Sequence, residues 1–203
     1  MDIYKVFNGY RVLLEIVKLR GFDVSDYEGF SKAQIAGMLE SNTMDLFFKK
    51  EDKKLYVHYE LEKSPDLMKL AEQFYEPNDQ QPAILTQQDD LFIVAKDNAN
   101  DSKVELLNDL WENRKIFISV VSLADLQFNK FKAALVPPSF DILSEEETKE
   151  IKERFYIMDN QQFPSISRYD ALGVLLGIRP GQVCKIQRDS VASLCLDFYR
   201  LCI

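Results

Sequence analysis

Four charged residues come closest to a catalytic pattern: Asp45, followed by the triplet Glu51-Asp52-Lys53. Metal-dependent nucleases use a spaced acid and a Glu-x-Lys to hold a divalent ion against a phosphodiester. Here Glu51 and Lys53 fall in the run Lys49-Lys50-Glu51-Asp52-Lys53-Lys54. That run reads as the solvated tip of a hairpin, where a site would lie in water without a shaped cavity. The nuclease reading stands as an alternative only. The one histidine, His58, sits in Leu55-Tyr56-Val57-His58-Tyr59 and reads as a packed or hydrogen-bonded strand residue. Asp89-Asp90 reads as loop solvation. There is no Gly-x-Ser-x-Gly, no P-loop and no Gly-x-Gly-x-x-Gly. No catalytic residue, cofactor or metal is expected.

Cys184, Cys195 and Cys202 are the three cysteines, without a CxxC pair or zinc-ligand spacing. An odd count argues against a disulfide framework and for small apolar fillers on strands. Net charge is −8 over 203 residues, with 46% hydrophobic and 29% charged residues, a globular composition. Free nucleic acid would be repelled by the chain as a whole, because cations neutralising phosphates supply most of that affinity. A local basic bias follows Ile166: Arg168, Arg179, Lys185, Arg188 and Arg200 against Asp170, Asp189 and Asp197. It is either a docking surface for an acidic partner or a solvated face. No run approaches the roughly 20 apolar residues of a membrane span. Met1-Asp2-Ile3-Tyr4-Lys5 lacks a secretory layout, so an intracellular location is expected.

The elements that must position these residues follow from periodicity. Val6, Phe7, Tyr10, Leu13, Leu14 and Val17 predict a helix over Tyr4 to Leu19, stopped by Arg20-Gly21. A second helix is predicted over Tyr27 to Leu39. A hairpin is predicted from Met44–Phe48 and Leu55–Tyr59, and a third helix from Asp66 to Phe74. Ala83–Thr86 and Leu91–Ala95 read as strands, Asp97–Ser102 as a turn, Val104–Trp111 as a helix and Ile116–Val121 as a buried strand. Strands alternating with helices indicate an α/β layer architecture. Val136-Pro137-Pro138-Ser139 reads as a boundary, since adjacent prolines deny both helix and sheet.

Beyond it, Ser144-Glu145-Glu146-Glu147 is a capping box opening a helix to Tyr156. A short helix is predicted from Arg168 to Leu176, ending at Gly177. Arg179-Pro180-Gly181-Gln182 suits a type II turn, with proline and glycine at its centre. Val183 to Ile186 and Cys195 to Ile203 read as strands. Gly181 is expected at positive φ, Asp170 as a cap or a loop-ordering acid, and Ser190 as a turn residue.

Several of these segments fall in a known order. Val136-Pro137, Leu143-Ser144-Glu145-Glu146, Glu153-Arg154-Phe155 and Phe163-Pro164-Ser165-Ile166 come first. Asp170 and Ala171 follow, then Gly177-Ile178, then Gly181-Gln182-Val183 with Lys185-Ile186, and finally Ser190 and Tyr199-Arg200-Leu201. Over about 65 residues the series resembles the fifth subunit common to the nuclear RNA polymerases and its archaeal counterpart. Residues 1–136 are similar only in outline, through Arg20-Gly21-Phe22 with Val24 and Asp45-Leu46. The approach to the boundary adds Leu126, Phe128, Asn129 and Leu135-Val136-Pro137.

The resemblance implies an α/β (α+β) protein: a mixed-sheet jaw domain over 1–136 and a small α/β assembly domain over 137–203. It implies a non-catalytic subunit that docks on the largest polymerase subunit, contacts other polymerase subunits, and meets downstream DNA only in the assembled complex. No membrane is implied. Asp170, Gly177, Gly181, Gln182, Lys185, Arg188 and Arg200 are the implied partner-binding residues. The implied location is the nucleus, or the cytoplasm or virion for a chain encoded by a large DNA virus. A free-standing interaction module is a further alternative.

Departures mark a divergent member. Ser139-Phe140-Asp141 stands where the family has a histidine, Ala171 where it has proline, Val174-Leu175 where it has Arg-Tyr, and Leu194 where it has glycine. Asn98-Ala99-Asn100-Asp101-Ser102 replaces a Thr-Pro-Ser-type loop that faces downstream DNA in the family, and it carries no cation.

Overall fold

The computed structural model describes residues 2–51, 53–77, 82–133, 139–190 and 194–203, with positions 189, 190, 194 and 195 described by backbone alone. The chain divides into two compact units, Met1–Asn129 and Lys130–Ile203. The boundary expected at Val136-Pro137-Pro138 lies outside the described residues.

The first unit opens with α1 (Ile3–Leu19), started by the Asp2 carboxylate, which accepts from the Tyr4 N–H at 3.0 Å. Val6, Tyr10, Leu13 and Val17 give it a buried stripe at helical spacing. Gly21, just past its end, has φ 82°, a left-handed value that glycine adopts without a Cβ penalty. Next come α2 (Lys32–Glu40), β1 (Leu46–Lys50), β2 (Lys53–Glu60), α3 (Leu67–Tyr75), β3 (Asp90–Ala95), α4 (Asp101–Arg114) and β4 (Phe117–Ser122).

These strands form one sheet in the order β1-β2-β3-β4. β1 and β2 are an antiparallel hairpin, while β2, β3 and β4 run parallel, joined through α3 and α4. Every residue of β3 and β4 is buried, the pattern of parallel strands covered on both faces.

The hairpin strands extend into the charged run, pairing Lys49 with Lys54 and Lys50 with Lys53. Like charges directly opposite repel. Here three of the four are drawn elsewhere. Lys53 Nζ lies 2.9 Å from Asp90, Lys50 Nζ donates to the Arg20 carbonyl, and Lys54 Nζ donates to the Ile84 carbonyl.

Two expected elements differ. The second helix starts at Lys32, not Tyr27, because Ser31 and Gln34 form a capping box there, and Gly29 at φ 95° breaks the chain before it. Ala83–Thr86 is not a strand. Ile84 and Leu85 N–H both donate to the Phe74 carbonyl at the end of α3, Leu85 is buried, and Thr86 is claimed by Asp89.

The second unit comprises β5 (Ser139–Ile142), α5 (Glu145–Phe155), β6 (Ser165–Ile166), α6 (Gly173–Leu176), β7 (Val183–Ser190) and β8 (Leu194–Cys202). Its sheet has the order β5-β7-β8-β6, with β5/β7 and β7/β8 antiparallel and β6/β8 parallel. Ile178, Cys184, Ile186 and Cys202 are its buried core, with Phe140, Ile142 and Ile166 packed against it. β5 was not expected from sequence. The helix predicted from Arg168 is a single turn, because the Asp170 carboxylate accepts from Leu172 N–H and starts α6 only there.

Candidate docking surface

Of the residues of the nuclease-like pattern, Asp45 and Lys53 are engaged in different places. Asp45 accepts from Tyr56 Oη at 2.9 Å and pairs with His58 Nδ1 at 2.8 Å. Burial, and then the Asp45 charge, push the Tyr56 hydroxyl well above the usual tyrosine range. His58 also lies against the Phe74 ring, as a packed strand histidine does. Glu51 sits at the hairpin turn with φ 49°, Lys53 turns to Asp90, and position 52 is outside the described residues. Among the described residues, no group of three or more His, Cys, Asp or Glu is placed to hold a metal.

Asp89 and Asp90 are not solvated. Both are buried. Asp89 accepts from Lys54 N–H and Thr86 N–H at 2.7 Å and from Thr86 Oγ1 at 2.9 Å. Asp90 meets the Arg20 guanidinium and the Lys53 ammonium. Burial of a carboxylate is tolerated only with such partners, so this pair of acids ties the hairpin and the end of α1 to β3.

The seven residues expected to bind a partner fall into three groups. Asp170 and Gly177 bracket α6: Asp170 caps its start, and Gly177 ends it at φ 71°, its N–H donating to the Gly173 carbonyl. Gly181 and Gln182 make the expected type II turn. Gly181 has φ 90°, and Gln182 N–H donates to the Arg179 carbonyl at 3.0 Å. The Gln182 side chain accepts from Arg179 N–H, and Gly181 N–H donates to the Cys202 carbonyl, which ties the turn to β8. Pro180, Gly181, Gln182 and Val183 line one wall of a cavity of about 660 Å³ whose other wall is Leu143, the Ser144 cap, and Glu145, Thr148, Lys149 and Lys152 along α5.

The three cations of the β7/β8 hairpin are divided between its faces. Cross-strand partners share a face. Lys185, opposite Tyr199, lies on the α5 side, where Phe155 contacts Tyr199. Its ammonium is 2.9 Å from Asp197, which also accepts from Gln187. That hydrogen bond holds the Lys185 pKa above, and the Asp197 pKa below, its ordinary value. Arg200 and Arg188 lie on the opposite face, across from Cys184 and Leu196. Arg200 donates to the Ser165 carbonyl at 2.9 Å. Arg188 is exposed and sits over the Phe198 ring at 5.5 Å.

Sequence reasoning missed the apolar part of this unit's surface. Leu196 and Phe198, beside Arg188, are 43% and 42% exposed. Phe155, Tyr156 and Met158, where α5 ends, are exposed as well. The apolar run Phe155-Tyr156-Ile157-Met158 straight after a charged helix was the available signal. Charge also divides between the units. Residues 1–129 hold 15 Lys and Arg against 23 Asp and Glu, and residues 130–203 hold 10 of each. The whole net charge of −8 therefore belongs to the first unit.

Residues 128–202, nearly the whole of the second unit, match the family model described as RNA polymerase Rpb5, C-terminal domain. Over 77 residues the chain is 42% identical to the DNA-directed RNA polymerase subunit Rpo5 of Thermococcus celer, covering 38% of this chain and 92% of that relative. Against the subunit Rpo5 of Thermococcus kodakarensis it is 39% identical over 80 residues, 39% of this chain and 95% of the relative. The chain belongs to the Rpb5 family. Rpb5-family proteins are non-catalytic subunits of RNA polymerase. All seven residues singled out above lie within the matched stretch, and residues 1–127 lie before it.

Proposed function

We propose that this Rpb5-family chain is assembled into a multisubunit DNA-directed RNA polymerase and docks on its largest subunit through residues 130–203. The unit's exposed apolar surface supports this reading. Phe198 and Leu196 with Arg188 above the ring form an aromatic–arginine anchor of the sort that dominates interface energetics. The turn at Gly181-Gln182 and the start of α5 add a recess into which a partner segment fits. Lys185, already paired with Asp197, contributes through the pair rather than as a bare charge.

Residues 1–129 project as the lower jaw beside downstream DNA. With a charge of −8 this unit holds DNA weakly by itself, so its place comes from assembly. The loop that would face DNA uses its polar groups internally. Asn98 donates to Asp125 and accepts from Ser122 N–H, and Asn100 caps α4. The chain works in the nucleus, or in the cytoplasm or virion if a large DNA virus encodes it.

Affinity purification of the tagged chain tests the reading. Recovery of the two large polymerase subunits supports it, and their absence sinks it. Phe198→Asp with Arg188→Glu should reduce recovery at least tenfold. Gly181→Val with Arg200→Ala should weaken it while leaving the first unit folded. Unchanged recovery in both would refute this docking surface.

A further inference from the structure

The parallel strands of the first unit end level. Glu60, Ala95 and Ser122 close β2, β3 and β4 in direct register. The next residue of each strand therefore falls into one row: Leu61, Lys96 and Leu123. A cavity of about 480 Å³ lies there, lined by these three residues with Lys5, Glu62, Ala124 and Gln127.

The walls of this cavity are fixed. Gln127 Nε2 donates to the Lys5 and Leu123 carbonyls at 3.1 and 2.8 Å, and Asn8 Nδ2 donates to the Gln127 carbonyl. Gly9 lets α1 approach closely: a Cβ there would stand 2.7 Å from Leu123 Cδ1. Leu61 is buried beneath, and Leu123 and Ala124 complete an apolar floor. Lys5 and Lys96 are exposed, and neither makes an ion pair among the described residues. Glu62 is the single acid of the lining, which leaves the cavity with a net positive charge inside a unit of charge −8.

We infer that this cavity binds an acidic peptide segment, its carboxylates on Lys5 and Lys96 and an apolar side chain on Leu61 and Leu123. Lysine stems extend the apolar floor while their ammonium groups meet carboxylates. The volume admits a few side chains and no duplex. A polyanion reaching past the cavity meets the acidic remainder of the unit, whereas a short segment is held within a screening length of about 8 Å. The inference rests on residues 1–129 and is independent of docking to a polymerase.

The test uses the full chain, labelled with ¹⁵N, titrated with an acetylated peptide of two leucines flanked on each side by two acidic residues. The expected result is shifts of the Lys5, Leu61, Lys96 and Leu123 amide signals, with at least tenfold weaker binding in the variant Lys5→Glu, Lys96→Glu. Both positions are exposed, and an acid in the first turn of α1 suits the helix dipole, so that variant keeps its fold. Shifts at other residues, or affinity unchanged in the variant, would overturn the inference. So would equal binding at these residues by the same peptide with lysines for its acids, or by a single-stranded ten-nucleotide DNA.

Discussion

The guanidinium of Arg20, one residue beyond α1, meets the carboxylate of Asp90, the first residue of β3, across 70 positions of sequence. Only 5% and 2% of the two side chains is exposed, and Lys53 completes the cluster from the hairpin. Removing one member of a buried pair leaves an uncompensated charge, which costs about 3–5 kcal/mol. Asp90→Ala should therefore destabilise the first unit by about that much. The double variant Arg20→Met, Asp90→Leu should recover much of the loss. Trp111, the only tryptophan, lies in α4, so its fluorescence in urea follows this unit alone.

Gly181 carries φ 90° in the turn before β7, and a Cβ built there would meet nothing within 4 Å. The penalty of a substitution is thus purely conformational, about 1–2 kcal/mol for a non-glycine residue in the left-handed region. Gly181→Ala should cost about 1 kcal/mol in the second unit and Gly181→Asn less. Urea midpoints of the β7 amide signals measure both. Equal stability of all three chains would show that the turn adapts.

No residue of α5 is buried, so local signals carry this helix. Ser144 Oγ accepts from Glu147 N–H at 3.2 Å, and the Glu147 carboxylate accepts from Ser144 N–H at 2.8 Å. Ser144→Ala should cost about 1 kcal/mol and fray the first turn. The hydrogen bonds from Ser144 lower the Glu147 pKa below its ordinary value of 4.5. A depressed carboxyl contributes stability above the ordinary value and loses it as pH falls through the folded value. Hydrogen exchange of the first α5 amides should accelerate relative to the rest of the unit below about pH 4.5 in the natural chain. Ser144→Ala, which keeps the backbone N–H donor, should only weaken that pH dependence, and Glu147→Gln should abolish it.

Burial pushes the thiol of Cys184 up to about 11 and that of Cys202 to about 12, from an ordinary 9.0. The folded state then keeps protons that the unfolded chain has released. Stability is full below about pH 9 and falls as pH climbs towards 11 and 12. The urea midpoint of the second unit, followed by circular dichroism, should drop between pH 8 and 10.5. The drop should be shallower in Cys184→Ala, Cys202→Ala. Both thiols should also resist iodoacetamide at neutral pH until the unit unfolds.

Much of this architecture was legible where the signal is local. The stripe from Val6 to Val17, the apolar runs of β3 and β4, the box at Ser144 and the turn at Gly181 each declare themselves within a few residues. Elements whose cause lies far away were not legible. Ser139–Ile142 becomes a strand because its partner, from Cys184 to Gln187, arrives more than forty residues later. Asp89-Asp90 looked solvated because Arg20 and Lys53, which bury it, sit in other elements. Ala83–Thr86 looked like a strand because of its apolar run, but only Leu85 is buried, and the segment is tied to the end of α3 through the Phe74 carbonyl. For the proposed docking surface, the motif residues were visible, but their division between structural caps, a turn and two faces of a hairpin required β-register.

The division of charge has a consequence for the chain before it meets any partner. A newly made subunit must remain dispersed while displaying Phe198, Met158 and Tyr156 to water. Its first unit carries the whole net charge that keeps copies apart, and its second unit, with ten cations and ten anions, carries no net charge. One half thus chaperones the other through solution, and the sticky half is free to approach a partner of either sign. Truncation to residues 130–203 would keep the adhesive and discard the repellent.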